Sequence, residues 1–371
     1  MIGICYDVRE RSRERSRARS RKENGLAMKK KNITIYDVAR ESSVSRQTVS
    51  RVINNRPDVA RETRKRVLEV IERLEYQPSQ LARSLSQGTS CTLGVVGYGI
   101  EYYGPSRTLS VIEKQANEHG YSLTLSLTHE PENININAFL NTLVSQHVDG
   151  IIWAVPQVGD NHEKFVNAIN NLTIPVVCAN MLPHETYSLI DTNNFDGGHM
   201  ATQHLLEQGN RNIGIITGPM NWIASSQRYQ GWKDALRFND SIDDKDLIYE
   251  GDWSAASGYL GLLTLYEKNP DMDAVFACND QMALGLLKAT TELGVAVPDD
   301  LAVVGYDNIP ESEFFSPPLT TVRQNFSKQG EEIVDEIERR IRERQEGKED
   351  VPRSEFMKPK LIVRESSIRK R

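Results

Sequence analysis

Residues 33–85 read ITIYDVARESSVSRQTVSRVINNRPDVARETRKRVLEVIERLEYQPSQLARSL, and this stretch decides the fold of the first part of the chain. Two short helical patterns meet at the polar turn Glu41-Ser42-Ser43, and the second opens at Ser45, a residue type suited to helix N-capping. Around an apolar Val49 the second pattern exposes polar side chains. Two helices joined in this way form a helix-turn-helix, whose second helix enters the major groove of DNA. The stretch therefore predicts a DNA-binding head.

Three helices are expected in this head. The first runs from Thr34 to about Ser42, the second from about Ser45 to Asn54, and the third from near Ala60 to Leu74. Their apolar spacing predicts a small core. The expected core residues are Ile35, Val38, Ala39, Val49, Val67, Leu68, Ile71 and Leu74. A short segment opened by Pro78 follows, because proline is accepted in a first helical turn.

The charge is unevenly distributed. The chain of 371 residues carries a net charge of −6, yet residues 28–85 hold 13 Lys/Arg against 7 Asp/Glu. An acidic body behind a basic head predicts that only the head touches nucleic acid. Residues 1–27 are low-complexity Arg/Ser/Glu sequence, for which we expect disorder. They are either a basic arm on DNA or upstream sequence translated ahead of a start at Met28, and we favour the second interpretation.

The cysteines and the hydropathy favour the cytoplasm. Cys5, Cys91, Cys178 and Cys278 form no CxxC pair, and the last three adjoin apolar runs, where we expect buried, reduced thiols. No apolar run approaches the roughly 20 residues that span a bilayer. The Arg-rich amino terminus is not a secretory signal. We therefore expect a cytoplasmic protein with no membrane partner.

From Cys91 onward, strand-like runs alternate with helical patterns. The runs are TLGVVGY, SLTLSL, VDGIIWAVP, IPVVCAN, RNIGIITGP, DAVFACND and LAVVGYD. The helical patterns are Thr108–His119, Gly197–Gln208, Gln281–Leu293 and Gln329–Gln345. This alternation predicts an α/β body of two doubly wound lobes with parallel sheets, and a ligand crevice at the carboxyl ends of the strands.

The expected domain organisation follows. Residues 1–31 form a disordered extension, 32–77 the helix-turn-helix head, 78–90 a hinge helix and linker, and 91–371 the body. Within the body, lobe 1 takes about 91–190 plus 323–352, and lobe 2 takes about 191–322 plus 353–371.

Long motifs in the head and body resemble the LacI/GalR family of bacterial repressors. In the head these are YDVA, VSRQTVSRVIN and ETRKRV; in the body they are EGDWSAASGY, ACNDQMALG, VPDDLAVVGYDN and SPPLTTVRQ. The resemblance runs from Thr34 onward, and the body motifs are similar above all to those of the sugar-responsive members. It implies a helix-turn-helix head, a hinge helix and a body like the type I periplasmic sugar-binding proteins, usually as a homodimer. We expect no cofactor and no metal.

The resemblance places Arg46, Gln47 and Arg51 at base-reading positions on the second helix. Arg51 can give two hydrogen bonds to guanine, and Gln47 can pair with adenine; the alternative is a solvated helix face. Other residues are candidates for phosphate contacts or, equally, for helix caps and turns. These are Thr34, Ser45, Thr48, Ser50, Asn54 and Thr63.

The segment PSQLARSL resembles the family's hinge helix, which folds on operator DNA and lies in the minor groove. The resemblance makes Leu85 an apolar wedge between base pairs, a known use of such side chains. It makes Ala82 the small residue at which the hinge helices of two subunits pass.

In the body, the resemblance implies an effector site. Sugars are held by charged and amide side chains with an aromatic ring against the C–H face. The resemblance places Arg228, Asn279 and Asp307 as hydroxyl clamps and Trp253 as the stacking ring; it adds Asn180, Gln324 and Phe326 beside the ligand. Taken singly, Asp307 could instead cap a helix, and Trp253 could belong to the core.

We do not expect an enzyme, because the seven histidines form no HExxH motif, GVVGYG lacks the G-x-G-x-x-G spacing, and no P-loop is present.

The expected function is repression of carbohydrate-utilisation genes, with release from a palindromic operator by a small sugar, a galactoside type being favoured. The alternative is a corepressor-type regulator of the purine-repressor kind, whose ligand (a purine or a sugar phosphate) strengthens DNA binding. The terminal sequence KPKLIVRESSIRKR contains no leucine heptads, so we expect a dimer and not a tetramer.

Overall fold

The computed structural model describes residues 33–53, 56–76, 89–236 and 244–369. The chain divides into two compact units, Met1–Gly88 and Thr89–Arg371. The expected extension, residues 1–31, lies outside the described residues, and so do residues 78–88, which make up most of the expected hinge. No helix in the described ranges is both long enough and apolar enough to cross a bilayer.

The head contains the three expected helices, α1 (Ile35–Glu41), α2 (Arg46–Ile53) and α3 (Arg61–Arg73). Local side-chain hydrogen bonds fix the starts of α1 and α2, whereas α3 starts after Ala60 without a side-chain cap. Ser45 Oγ accepts the Thr48 N–H at 3.1 Å, which satisfies one of the free donors at the start of α2. These bounds agree with the sequence-based ones to within one or two residues, because the caps are encoded locally.

The core of the head is small and built mainly from valine. Its buried members are Val38, Ala39, Val49, Val52, Val67, Val70 and Tyr76. The expectation for Leu68 was wrong, since this side chain is 49 % exposed. The inward face of α3 is instead the i, i+3, i+4, i+7 set that starts at Val67 and includes Val70, and Leu68 lies beside that face.

The described part of the body contains twelve strands. They are β1 (Thr92–Gly97), β2 (Ser122–Leu127), β3 (Gly150–Ala154), β4 (Val176–Cys178), β5 (Ser188–Thr192), β6 (Ile213–Thr217), β7 (Ile248–Glu250), β8 (Ala274–Ala277), β9 (Ala302–Asp307), β10 (Thr320–Arg323), β11 (Ser354–Met357) and β12 (Lys360–Ile362). Each of the seven apolar runs contains one strand, as expected. Five strands lie outside these runs. β5, β7, β10 and β11 are short or interrupted by polar residues and were not predicted; β12 lies in the terminal sequence KPKLIVRESSIRKR.

Eight α-helices within residues 89–236 and 244–369 cover the sheets. They are α4 (Tyr103–Glu118), α5 (Ile136–Ser145), α6 (Asn161–Ile169), α7 (Asn194–Glu207), α8 (Ile223–Leu236), α9 (Ala255–Lys268), α10 (Asp280–Leu293) and α11 (Phe326–Gln345). Short 3-10 turns lie at Asp244–Leu247, Pro310–Phe314 and Glu365–Ser367.

The strands form two six-stranded sheets, one in each lobe. The order is β11-β5-β4-β3-β1-β2 in lobe 1 and β12-β10-β9-β8-β6-β7 in lobe 2. All pairs in lobe 1 are parallel, whereas β12 runs antiparallel to β10 in lobe 2. Apolar side chains of α5 and α6 pack on one face of the first sheet, and those of α4 and α11 pack on the other. The two doubly wound lobes are confirmed.

The chain crosses between the lobes three times, after β5, after β10 and after β11. The first two crossings lie close to the expected boundaries. The third does not, because β11 pairs in parallel with β5 of the first lobe, and the crossing comes only between Met357 and Lys360. The edge position of β11 beside β5, a strand that the sequence analysis missed, explains the error.

Cys178 and Cys278 are buried free thiols, as expected. Cys91 is exposed, which contradicts the expectation of burial. It lies immediately before β1, where the chain enters the first sheet, and the apolar strand starts only at Thr92.

Candidate functional site

The outward face of α2 carries the three side chains expected to read bases. Val49 and Val52 are buried on the inward face of this helix, at 0 % and 3 % exposure. Arg46, Gln47 and Arg51 are exposed. An exposed polar helix face held on a rigid apolar core is the arrangement that a recognition helix requires.

A tyrosine of the preceding helix orients Arg46. The Arg46 guanidinium carbon lies 4.4 Å from the centre of the Tyr36 ring, and Nη1 donates a hydrogen bond of 2.7 Å to the Tyr36 hydroxyl. Tyr36 is 60 % exposed, so the pair forms a surface feature. Tyr36 was not predicted from the sequence, although an aromatic residue on the polar side of a short amphipathic helix was a usable signal.

Arg51 is only loosely held. Its nearest ionic partner is Asp58, at 3.6 Å, and both side chains are more than half exposed. Exposed pairs of this kind contribute little free energy. The Arg51 guanidinium can therefore exchange this partner for another acceptor at small cost.

The candidate phosphate contacts fall into different local roles. Thr34 donates its N–H and its hydroxyl to the Asp37 carboxylate, and Ser45 caps α2. Thr48, Ser50 and Thr63 are half-buried. Asn54, Ala82 and Leu85 lie outside the described residues.

In the body, all seven expected effector residues line one cleft between the lobes. The space that its walls outline measures about 710 Å³, including the part open to solvent. The expected residues that line it are Asn180, Arg228, Trp253, Asn279, Asp307, Gln324 and Phe326. The topology explains this convergence, because the carboxyl ends of parallel strands meet at one edge of a sheet. Asn180 follows β4, for example, and Asp307 ends β9.

Arg228 is the most constrained of these side chains. It is only 6 % exposed, and its guanidinium carbon lies 3.6 Å from the centre of the Tyr306 ring. Nε donates to Asn194 Oδ1 at 2.9 Å, and Nη1 donates to the Cys278 carbonyl. A planar fork held by stacking and by two hydrogen bonds is preorganised to bind an oxygen-rich or nitrogen-rich ligand.

Trp253 is both a core residue and a cleft residue. It is 8 % exposed, packs in the core of lobe 2 and faces the cleft. Its backbone has φ 72°, in the left-handed region, and the Asn279 side-chain amide donates to its carbonyl at 2.9 Å. The indole N–H finds no hydrogen-bond acceptor among the described residues. Asn279 also caps α10 through the Met282 N–H, so it positions Trp253 as well as lining the cleft.

Three buried carboxyl groups lie in or beside the cleft. Burial raises the pKa of Asp307 to about 6, against the opposing effects of Arg228 and a hydrogen bond from Gln324. Burial likewise raises the pKa of Asp191 to about 6. The pKa of Asp280 rises to about 8, mainly because the group is buried and secondly because the negative charge of Asp307 lies nearby. Within the described residues Asp307 caps no helix, and its carboxylate accepts a hydrogen bond from the Gln324 side-chain amide at 2.7 Å.

The structure adds wall residues that the sequence analysis missed, chiefly Tyr102, Tyr103, Trp222, Asp191 and Asn194. The Tyr102 ring of lobe 1 meets the Trp222 ring of lobe 2 edge-on at 5.6 Å. Tyr103 meets Phe326 in the same way at 5.9 Å. Four of the five lie in loops and first helical turns, where no apolar period marks them, and Asp191 lies in the short strand β5.

A helix-turn-helix head joined to two α/β lobes with a cleft between them defines the class of DNA-binding regulators that carry a periplasmic-binding-protein-like body. Comparison with known proteins gives the same result. "Bacterial regulatory proteins, lacI family" matches residues 34–79, and "Periplasmic binding protein-like domain" matches residues 202–367.

Whole-chain relatives support both matches. The HTH-type transcriptional repressor PurR of Haemophilus influenzae is 35 % identical over 335 residues, which cover 90 % of this chain and 98 % of that protein. PurR of Histophilus somni is 36 % identical over 337 residues, with the same two coverages. The relatives are repressors and not enzymes. The chain belongs to the LacI family and is a transcriptional repressor.

Solved structures agree with this assignment. The lac repressor dimer bound to operator and the anti-inducer ONPF is 29 % identical, with a TM-score of 0.80, and the match covers 91 % of this chain and 100 % of that one. The complex of the transcriptional regulator CelR with cellobiose is 31 % identical, with a TM-score of 0.67, over 90 % of this chain and 99 % of that one.

Proposed function

We propose that the chain acts in the cytoplasm as a homodimer on a palindromic operator, with α2 of each head in a major groove. Arg46, Gln47 and Arg51 read base edges in this proposal, and the exposed face opposite Val49 is the observation that carries it. Two heads related by a twofold axis read two half-sites. Ala82 and Leu85 are assigned to the hinge on resemblance alone.

We propose further that the cleft binds a small effector and that the effector strengthens operator binding. The whole-chain relatives named PurR favour this corepressor alternative over the sugar inducer. The carrying observation in the structure is the preorganised Arg228, which faces a cleft walled by Trp253 and Phe326. A flat heterocycle such as a purine can stack on aromatic rings while its ring edge hydrogen-bonds to charged and amide groups.

A sugar inducer is the second candidate. The similar structures include a regulator in complex with cellobiose. The cleft also combines an arginine, Arg228, with a carboxyl group, Asp307, and such pairs hold adjacent hydroxyl groups. In this candidate the ligand weakens operator binding.

In either case the ligand acts by shifting a population. It binds one arrangement of the lobes better than the other, and only that arrangement presents the heads correctly to DNA. A tenfold change in operator affinity requires only about 1.4 kcal/mol of differential binding.

The test is operator binding by the full-length protein, with the operator selected from random DNA. Fluorescence anisotropy is recorded with and without a panel of purines, galactosides and glucosides. Tighter binding with a purine supports the corepressor; release by a sugar supports the inducer and overturns the corepressor. A protein that selects no sequence overturns the proposed assignment of base-reading residues. An Arg228→Lys variant serves as the control for binding in the cleft, because it keeps the charge and loses the planar fork.

A further inference from the structure

A second cavity, which we name the vestibule, opens beside the ligand cleft where the chain crosses between the lobes. It measures about 900 Å³, including the part open to solvent. It shares Tyr103, Asp307, Gln324 and Phe326 with the cleft. Two contacts make the common wall: the edge-on rings of Tyr103 and Phe326, and the hydrogen bond from Gln324 to Asp307. The vestibule therefore adjoins the effector site directly.

Four cationic side chains line the vestibule. Arg107 comes from α4, Arg323 from the end of β10, and Lys358 and Lys360 from the third crossing. In the described part of the chain, no carboxylate forms an ion pair with any of the four. Among the described residues that line it, only the buried Asp307 is acidic. A concave surface lined by one sign of charge concentrates counter-ions of the other sign.

Two of these cations are placed against each other by the sheet. Arg323 and Lys360 are register partners on the antiparallel strands β10 and β12. Like charges directly opposite each other destabilise a sheet. Such a local conflict is expected at a functional position, where a bound group of opposite charge relieves it.

The polar groups around the cations also suit an anion. Asn308, Asn325 and Ser327 line the same vestibule. The helix α11 starts there at Phe326 and has no acidic residue in its first turn. Its free N–H groups and dipole add positive potential at that end.

We propose that the vestibule binds a phosphomonoester group. Two arginine forks and two ammonium groups match a dianion with three terminal oxygens better than a single carboxylate. The phosphoryl group has two possible sources: the effector in the adjoining cleft, or a separate phosphorylated solute. The first source rests on the proposed function of the cleft; the vestibule as an anion site does not.

The first test uses the full-length protein and inorganic phosphate, with binding followed by calorimetry and by thermal unfolding. The variant Arg323→Gln/Lys360→Gln removes the facing pair. The control Lys164→Gln/Lys268→Gln removes the same charge from exposed helical positions.

We expect phosphate to bind and stabilise the wild type and the control. It should bind Arg323→Gln/Lys360→Gln, the vestibule variant, at least about tenfold more weakly. Without phosphate the vestibule variant should unfold at the same temperature as the wild type or higher, because a repulsion is gone; this excludes misfolding as the cause. The proposal is overturned if phosphate does not bind the wild type, or if the vestibule variant and the control lose the same amount of phosphate affinity.

The second test identifies the source. Guanosine is compared with its 5′-monophosphate, and galactose with its 6-phosphate. If the effector carries the phosphoryl group, the phosphorylated member binds the wild type about tenfold better or more, and the preference disappears in the vestibule variant. If the source is a separate solute, the phosphorylated and unphosphorylated members bind the wild type equally well, and inorganic phosphate competes with neither of them. Operator response to unphosphorylated ligands is a separate readout, so failure of the proposed function and failure of the vestibule can be told apart.

Discussion

The guanidinium of Arg228 and the ring of Tyr306 are stacked at 3.6 Å in the core of lobe 2. The Tyr306 hydroxyl also donates to Asn194 Oδ1 at 3.3 Å, the same atom that accepts Arg228 Nε. One amide oxygen thus fixes both partners, and the arginine is held in one orientation at the wall of the cleft.

Replacing Arg228 by lysine should therefore weaken ligand binding while leaving operator binding without ligand unchanged. Lysine lacks the planar fork and cannot stack and bond to Asn194 and the Cys278 carbonyl together. We expect ligand affinity to fall by about tenfold or more. Calorimetry with a ligand that alters operator binding measures the effect, and Arg342→Lys on an exposed position of α11 is the matched control. Unchanged ligand affinity in the Arg228 variant would contradict the assignment.

In the head, Arg51→Ala should reduce affinity for the selected operator by about 1–3 kcal/mol and affinity for random DNA much less. The reason is that a base-reading side chain contributes to discrimination, whereas phosphate contacts contribute to all sequences alike. Anisotropy titrations with both DNAs measure the difference. The control Lys65→Ala removes a cation that is 81 % exposed on α3. Equal losses on both DNAs would make Arg51 a backbone contact.

Asp280 should make the protein less stable as the pH rises. Its folded-state pKa is about 8, against an ordinary value of 3.8, so the folded protein binds this proton more tightly than the unfolded chain. The stability that the proton confers is complete below pH 3.8 and is lost as the pH rises through about 8. Near neutrality the free energy of unfolding should fall by roughly 1 kcal/mol per pH unit from this group.

The variant Asp280→Asn should flatten that pH dependence. An amide can still accept the Ile309 N–H and can donate to the Thr321 hydroxyl, the two groups that now bond to the carboxyl oxygens. Urea unfolding at a series of pH values compares it with wild type and with Asp299→Asn, an exposed control. A variant with the same slope as wild type would show that other groups cause the dependence.

Ligand binding should change the intrinsic fluorescence, and two of the four tryptophans should carry the change. Trp222 and Trp253 line the cleft, with ring centres 5.9 Å apart. Trp153 and Trp232 are buried in the cores of the two lobes, at 2 % and 0 % exposure. The double variant Trp222→Phe/Trp253→Phe should lose the signal. Substitution of Trp232 by phenylalanine should preserve it, and a signal that survives the double variant would place the ligand elsewhere.

The head could be predicted almost completely because its signals are local. Caps such as Ser45 and the polar turn at Ser42 mark the helix ends, and most core positions follow from spacing. Leu68 was misplaced because two adjacent apolar residues, Val67 and Leu68, leave the exact face of α3 undetermined by spacing alone.

The cleft could be predicted only in part. Residues such as Asn279 and Asp307 follow long apolar strands and were found from them and from the family motifs. Asp191 lies in β5, a five-residue strand with polar members, and Tyr103 starts a helix whose apolar period begins only at Thr108. Side chains that face a cleft interrupt the period that reveals a helix or strand, so the sequence pattern is weakest at such positions.

The small core of the head has a practical consequence. Its seven buried residues belong to Val38–Tyr76 alone, and the lobes have separate cores. A recognition module that folds on its own side chains can be exchanged without repacking the sensor behind it. Fusing the body from Thr89 onward to the head and hinge of another family member should give a chimera that couples this cleft to a different promoter, and a genetic reporter built on it could screen for the effector in living cells.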